Sequence, residues 1–168
     1  MMNAMASIEL RHGDLLEQSD LEAIVNAWNR NFIPWWLLLP QGISGAIKRR
    51  GGYAPFRELR RAGVMRGGDA FVTSAGRLGF RAIIHVAALS AFWRSSESLI
   101  RRCTVSALDF ALAQRFESVG FPLIGAGTGG VDPEVALSAI ANEAKRHAYQ
   151  GRVVIVMYEW SSRSSSLR

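Results

Sequence analysis

The sequence predicts an α/β fold in which helices cover both faces of a mixed, mostly parallel sheet, giving a three-layer α/β/α sandwich. Segments rich in β-branched residues alternate with segments of helical periodicity, and 49% of the 168 residues are hydrophobic. Such alternation is typical of parallel strands joined by crossover helices. We expect one domain over residues 1–160 and a polar, disordered tail over residues 161–168.

Ten segments carry this prediction. The predicted strands are residues 8–11, 22–26, 70–75, 81–87, 118–123 and 153–158. The predicted helices are residues 45–50, 54–62, 98–116 and 132–147. The last helix has the clearest start, because Asp132 can cap it, Pro133 suits its first turn and Glu134 faces the positive end of its dipole.

Composition argues against several classes of protein. The longest apolar stretch, Phe32 to Leu39, is far shorter than the roughly 20 residues of a membrane-spanning helix. We expect no signal peptide and no membrane association. Cys103 is the single cysteine, which excludes an internal disulfide and favours a cytoplasmic location. The histidines are far apart and no CxxC pair occurs, so neither a metal site nor a cofactor is expected.

The net charge of +6 comes almost entirely from arginine. One segment is especially basic and contains Lys48, Arg49, Arg50, Arg57, Arg60, Arg61 and Arg66. Arginine suits phosphate recognition, so nucleic-acid binding through this segment is one hypothesis. The alternative is an ordinary basic helix exterior, and no motif that interleaves aromatic and basic residues favours nucleic acid.

A glycine-rich loop follows the fifth predicted strand. Its residues are Gly125, Ala126, Gly127, Thr128, Gly129 and Gly130. Glycines let backbone N–H groups converge on an anion, and the next helix adds its positive end. The loop lacks the Gly-Lys-Ser/Thr of a Walker loop and falls too late in the chain for a dinucleotide fingerprint. A tight strand-to-helix connection is the alternative interpretation.

A second polar loop follows the predicted strand 22–26. Asn26 and Asn29 lie three residues apart in it, and the apolar stretch separates them from Gly42, Ile43 and Ser44. Amide side chains both donate and accept hydrogen bonds and can orient ligand hydroxyls. Single asparagines are, however, common turn formers.

These stretches, in this order, resemble the macrodomain family of ADP-ribose-binding and Appr-1-p processing proteins. The matching stretches are Gly13-Asp14-Leu15, AIVNAWN (23–29), GISGAIKRRGG (42–52), GDAFVTSAG (68–76), AIIHVA (82–87) and GFPLIGAGTGG (120–130). The resemblance covers about residues 8–159. It implies binding of ADP-ribose, free or attached to protein or nucleic acid, in a cleft between two phosphate-holding loops.

The resemblance also implies roles for individual residues. Asp14, with Leu15 beside it, would read the adenine, and Tyr158 or less readily Trp160 would lie against the adenine ring. Asn29 would contact the distal ribose. The remaining assignments are Asn26 as a brace for the first loop, Gly42, Ile43 and Ser44 as the first diphosphate-holding loop, Gly125–Gly130 as the second, and His85 as a structural residue.

Whether the protein is an enzyme is left open by a departure from the family pattern. Hydrolase-type members end the first loop in Val-Asp, whereas this chain has Ile43-Ser44 and no acidic residue between Glu22 and Glu58. The candidate catalytic residues are Asn29, Ser44 and Asp132, the last either paired with Lys48 or simply capping its helix. Hydrolysis of mono-ADP-ribosyl adducts or O-acetyl-ADP-ribose is one hypothesis; the alternative is a non-catalytic module for poly(ADP-ribose) or nucleic acid.

The apolar stretch also departs from the short glycine run of the family. Two tryptophans, Trp35 and Trp36, and three leucines would be costly to expose together. The sequence leaves three roles open for it: a lid over the distal ribose, additional core, or a homodimer contact through Phe32 to Leu39.

Overall fold

The computed structural model describes residues 5–30, 42–90 and 92–158. Its strands are β1 (Ser7–His12), β2 (Ala23–Trp28), β3 (Ala70–Thr73), β4 (Ala82–Ala87), β5 (Ser118–Pro122) and β6 (Arg152–Met157). Its helices are α1 (Gly42–Gly51), α2 (Ala54–Leu59), α3 (Glu97–Ala113) and α4 (Pro133–Arg146), with short 3-10 helices at Leu15–Glu17 and Arg60–Ala62.

The six strands form one sheet in the order β1-β6-β5-β2-β4-β3. All neighbouring pairs are parallel except β3 and β4, which are antiparallel. The predicted mixed, mostly parallel sheet is therefore confirmed. Strand β4 is buried along its whole length, as expected for a strand that is covered on both faces.

Helices pack on both faces of the sheet, which confirms the three layers. On one face α3 and α4 contribute the buried residues Ile100, Cys103, Leu108 and Ile140. On the other face α1 and α2 contribute Ile47, Phe56 and Leu59, which join Leu15 of the first 3-10 helix. Burial of side chains of this size contributes roughly 1.5–3 kcal/mol each to stability.

Two predicted helix boundaries were wrong. Helix α1 begins at Gly42 rather than at residue 45, so Gly42, Ile43 and Ser44 form its first turn. Gly42 has a φ of 55°, a conformation that sequence periodicity does not reveal. Helix α3 ends at Ala113 rather than at residue 116, because the chain reverses through Arg115 at a φ of 55°.

The carboxyl ends of the five parallel strands meet at one edge of the sheet, which we call the carboxyl edge. Asp14 follows β1, Tyr158 follows β6, the glycine-rich loop follows β5 and Asn29 follows β2. Because the strands are ordered β1-β6-β5-β2, these residues follow one another along the edge in that sequence. With strands about 4.8 Å apart, the row spans about 14 Å.

Several predictions fall on residues outside the described ranges. These are the polar tail at 161–168, Trp160, the tryptophan pair Trp35-Trp36, and the homodimer contact through Phe32 to Leu39; they stay predictions, as does the cytoplasmic location. Among the described helices, none combines the length and apolar character needed to cross a membrane.

Candidate functional site

The glycine-rich loop is shaped by close backbone approaches. Gly125 has a φ of 76°, and its carbonyl accepts a 3.0 Å hydrogen bond from the Val131 N–H. A Cβ on Gly129 would lie 2.5 Å from that carbonyl oxygen, so only glycine fits there. The Gly129 carbonyl in turn accepts a 3.0 Å bond from the Ser95 N–H, which ties the loop to the segment before α3.

The tip of this loop is suited to bind an anion. Gly127 and Thr128 are exposed, and among the described residues the N–H groups of Gly127, Thr128 and Gly129 donate no hydrogen bond. Backbone N–H groups without an internal acceptor need water or a ligand as partner. Three such donors on consecutive residues form the kind of concavity that holds phosphate.

Asp132 acts as the cap of α4. Its Oδ1 accepts hydrogen bonds from Glu134 N at 2.8 Å and from Val135 N at 3.3 Å. This confirms the predicted cap, and it places a carboxylate over the positive end of α4. Anion binding here therefore depends on the N–H groups of the loop more than on the dipole of α4.

The first turn of α1 contributes Ser44 to the site. The Ser44 hydroxyl lies 2.8 Å from Asn26 Oδ1 and 3.2 Å from the Ala27 carbonyl oxygen. Both partners are acceptors, so the single hydroxyl proton is directed into the protein. Ile43 packs its side chain against the core, and Gly42 is exposed.

Asn26 is fully buried and lies inside β2, which continues to Trp28, so the prediction that placed it in the loop was wrong. Its amide nitrogen lies 3.0 Å from Nδ1 of His85, which is directly opposite on β4. On the far side of the ring, Nε2 lies 2.9 Å from Thr73 Oγ1, and the Thr73 hydroxyl donates to the Ser74 carbonyl at 2.9 Å. We call the series Ser44, Asn26, His85 and Thr73 the buried polar chain.

Burial lowers the pKa of His85 to about 3, so the ring is neutral at ordinary pH. An Asn amide nitrogen can only donate, so Nδ1 must be the accepting nitrogen and Nε2 carries the proton. The ring also packs edge-on against Phe56, with a centroid separation of 5.7 Å. The predicted structural role of His85 fits this environment.

The pKa of His85 makes the free energy of unfolding depend on pH. Unfolded His85 takes up a proton as the pH falls through 6.5, whereas the folded protein does so only near 3. The contribution of His85 to the free energy of unfolding is therefore full above pH 6.5. It falls by about 1.4 kcal/mol per pH unit as the pH drops toward 3. Between pH 7.5 and 4.5 we expect a loss of about 2 to 3 kcal/mol, measurable by urea denaturation. His85→Asn should show a much smaller loss; equal losses in both proteins would contradict the assignment.

Lys48 lies one turn after Ser44 on α1, and its ammonium group sits over two aromatic rings. Its Nζ is 5.5 Å from the ring centroid of Trp28 and 5.0 Å from that of Phe56. Burial lowers its pKa. These contacts belong to the α1 and α2 face of the sheet, whereas Asp132 caps a helix on the opposite face. The arrangement gives no support to a catalytic Lys48–Asp132 pair.

Asp14 lies after β1, at one end of the site. Its Oδ1 accepts from Leu16 N at 2.8 Å, and its Oδ2 lies 2.6 Å from Arg50 Nη1. Leu15 is buried in the core, so only its backbone is available to a ligand. Tyr158 is 75% exposed and its ring is free to contact a ligand.

Sequence reasoning missed the supporting residues Thr73, Ser95 and Arg50. Thr73 and Ser95 carry no local signal, because strand pairing and loop packing bring them to the site. Arg50 does lie inside the stretch GISGAIKRRGG, but its pairing with Asp14 joins residues 36 positions apart. In residues 5–30, 42–90 and 92–158, no group of three or more His, Cys, Asp or Glu side chains is placed to hold a metal ion.

Comparison with known proteins decides the family. The family model of the Macro domain matches residues 25–140, more than half of the chain. The chain belongs to the macro domain family. It is 30% identical over 164 residues to a protein of Citrobacter koseri named O-acetyl-ADP-ribose deacetylase, an alignment that covers 90% of this chain and 88% of the relative.

Two solved macrodomains share the fold. One is the Oceanobacillus iheyensis macrodomain with ADP, with a TM-score of 0.78, 22% identity and coverage of 95% of this chain and 87% of that one. The other is the Trypanosoma brucei macrodomain in complex with ADP-ribose, with a TM-score of 0.74, 24% identity and coverage of 89% and 63%. The predicted family and fold are thus confirmed.

Proposed function

We propose that this macro domain binds ADP-ribose or an ADP-ribosyl derivative along its carboxyl edge. The observation that carries the proposal is the order of groups along that edge. An acidic and an aromatic side chain, Asp14 and Tyr158, precede the N–H groups of the glycine-rich loop, and Asn29 with Ser44 follows them. A base, a diphosphate and a second sugar would meet complementary groups in that order.

The adenine end depends on Asp14. Each carboxylate oxygen can accept more than one hydrogen bond, so Asp14 can accept from an exocyclic amine while it still holds Leu16 N and Arg50. Tyr158 offers an exposed ring for stacking on the base. The solved neighbours with ADP and ADP-ribose support ligands of this class.

Calorimetric titration with ADP-ribose tests the proposal, with AMP and ATP as comparison ligands. We expect saturable binding that prefers ADP-ribose, and Asp14→Ala should weaken it by about tenfold or more, because a hydrogen bond to a carboxylate is lost. Asp109→Ala is the matched control, since Asp109 is an exposed aspartate of α3. Absence of heat with ADP-ribose would refute the proposal.

A second part of the proposal is that the protein also hydrolyses the ester of O-acetyl-ADP-ribose. The relative named O-acetyl-ADP-ribose deacetylase supports it. This chain offers Asn29 and Ser44 near the distal ribose, but the first loop carries no carboxylate, and Asp132 is engaged as a helix cap. Ser44 without a neighbouring base is a poor general base. Binding is therefore the function the geometry supports best, with slow or no turnover.

A second candidate function rests on the exposed face of α2 and the 3-10 helix after it. Arg57, Arg60 and Arg61 follow one another at i, i+3 and i+4 spacing, and all three are exposed. Glu58, the single acidic residue of residues 42–68, is engaged by Ser74. This basic face favours a polyanion such as poly(ADP-ribose) or nucleic acid.

Competition separates the second candidate from the first. If the basic face binds single-stranded nucleic acid, fluorescence anisotropy should show affinity that falls steeply with salt and is unaffected by excess ADP-ribose. The triple variant Arg57→Glu, Arg60→Glu, Arg61→Glu should abolish it and leave ADP-ribose binding unchanged. The exposed arginines Arg94, Arg115 and Arg146, changed in the same way, provide the control. Equal effects of the two triples would exclude a specific basic face.

A further inference from the structure

The Ser44 hydroxyl has no proton to offer a ligand. Its hydrogen points to Asn26 Oδ1 at 2.8 Å or to the Ala27 carbonyl oxygen at 3.2 Å, and both of these atoms are acceptors inside the protein. Ser44 is only partly buried and lies in the first turn of α1, so we expect its oxygen to be within reach of a ligand. Toward a ligand it can therefore act only as an acceptor.

The direction of this hydrogen bond is fixed at the far end of the buried polar chain. The Thr73 hydroxyl donates to the Ser74 carbonyl, so it must accept from His85 Nε2. A proton on Nε2 leaves Nδ1 as an acceptor, which requires the amide nitrogen of Asn26 to face it. The Asn26 oxygen then faces Ser44.

Reversal of the buried polar chain is unfavourable because Asn26 and His85 are fully buried. It would need Thr73 to leave the Ser74 carbonyl, the proton of His85 to change nitrogen, and the Asn26 amide to turn within a fully buried site. A fully buried amide or ring nitrogen that loses its partner costs roughly 1–3 kcal/mol, whereas water can reach the exposed Ser74. Aligned hydrogen bonds also strengthen one another, which favours the single direction seen here.

We propose that His85 is a positioning residue which, through Asn26, holds Ser44 as a pure hydrogen-bond acceptor, so that the first loop selects a ligand with a sugar hydroxyl beyond the diphosphate. This inference rests on the proposed binding of ADP-ribose. An acceptor oxygen at the start of α1 can accept a hydrogen bond from a sugar hydroxyl, and it repels a phosphate oxygen. Ser44 thereby discriminates the second sugar and does not hold the diphosphate as its sequence position suggested.

The tautomer of His85 is the first readout. In a long-range ¹H–¹⁵N spectrum of the labelled protein at neutral pH, one histidine should be neutral with its proton on Nε2. Its signals should vanish in His85→Asn, which separates them from those of His12 and His147. A proton on Nδ1 of His85 would overturn the proposal.

The ratio of affinities for ADP-ribose and ADP is the second readout, because ADP lacks the second sugar. Ser44→Ala and His85→Leu should weaken ADP-ribose binding by roughly three- to tenfold, the effect of one lost hydrogen bond, and change ADP binding less than about twofold. His85→Asn keeps an acceptor near the position of Nδ1 and should recover most of the loss. Simple destabilisation of the fold would weaken both ligands together.

Thr73→Val tests the same buried polar chain if the His85→Leu protein does not fold. It removes the acceptor of the Nε2 proton at nearly constant volume and should shift the affinity ratio in the same direction. An unchanged ratio in Thr73→Val and Ser44→Ala, with both nucleotides still bound, would overturn the positioning role alone. A wild-type protein that binds neither nucleotide would overturn the proposed function as well.

Discussion

Gly127→Glu should weaken ADP-ribose binding by about thirtyfold or more and leave the fold intact. Gly127 lies at the exposed tip of the glycine-rich loop, and a Cβ there would meet no heavy atom within 4 Å. The added side chain therefore fits, but it brings a negative charge to the N–H groups that would hold the diphosphate. Two like charges about 4 Å apart near a protein surface repel by about 4 kcal/mol. A repulsion of only half to two thirds of that energy would lower the affinity for ADP-ribose by about thirty- to a hundredfold.

Two matched variants separate charge from bulk at this position. Gly127→Ala adds only a methyl group into open space and should bind ADP-ribose within about threefold of the wild type. Gly79→Glu places the same charge at another exposed glycine with no heavy atom near its Cβ, between β3 and β4, and should bind normally. Calorimetry gives the affinities, and thermal denaturation followed by circular dichroism reports the fold. Normal binding by a folded Gly127→Glu protein would show that the diphosphate lies elsewhere.

The fold was predictable because buried parallel strands have a simple sequence signature. Strand β4 is apolar along nearly its whole length and buried at every position, and β6 contains four consecutive buried valines and isoleucines. The start of α4 was equally predictable, since Asp132 and Pro133 act within a single turn. Such features are local and need no knowledge of strand pairing.

The parts of the site that escaped prediction depend on residues distant in sequence. Asn26 and His85 are 59 residues apart and meet only because β2 and β4 pair in one particular register. The role proposed for Ser44 depends on this contact between Asn26 and His85 and not on the neighbours of Ser44 in sequence. The start of α1 was missed for a different reason, because Gly42 enters the helix from a positive φ.

Ser44→Asp should raise the rate at which the protein hydrolyses O-acetyl-ADP-ribose. The substitution restores a carboxylate at the end of the first loop, where the resemblance places the water-positioning group of hydrolase-type members. A correctly positioned general base contributes about 10² to 10⁴ in rate. We expect an increase of about a hundredfold, measured as acetate release under single-turnover conditions.

The same substitution should reverse the buried polar chain. The Asn26 oxygen now faces Ser44, and it would repel a carboxylate. The amide must turn its nitrogen toward the new group, its oxygen must then accept from His85 Nδ1, and Nε2 must accept from Thr73. The ¹H–¹⁵N spectrum should therefore show the His85 proton on Nδ1 in this variant.

Ser44→Asn is the control, because it has the size of aspartate but cannot accept a proton from water. It should leave hydrolysis at the wild-type rate. A Ser44→Asp protein that binds ADP-ribose and turns over no faster than Ser44→Asn would mean that the first loop does not face the ester. If the rate rises and the tautomer changes together, the absence of a carboxylate at position 44 accounts for the proposed preference for binding over catalysis.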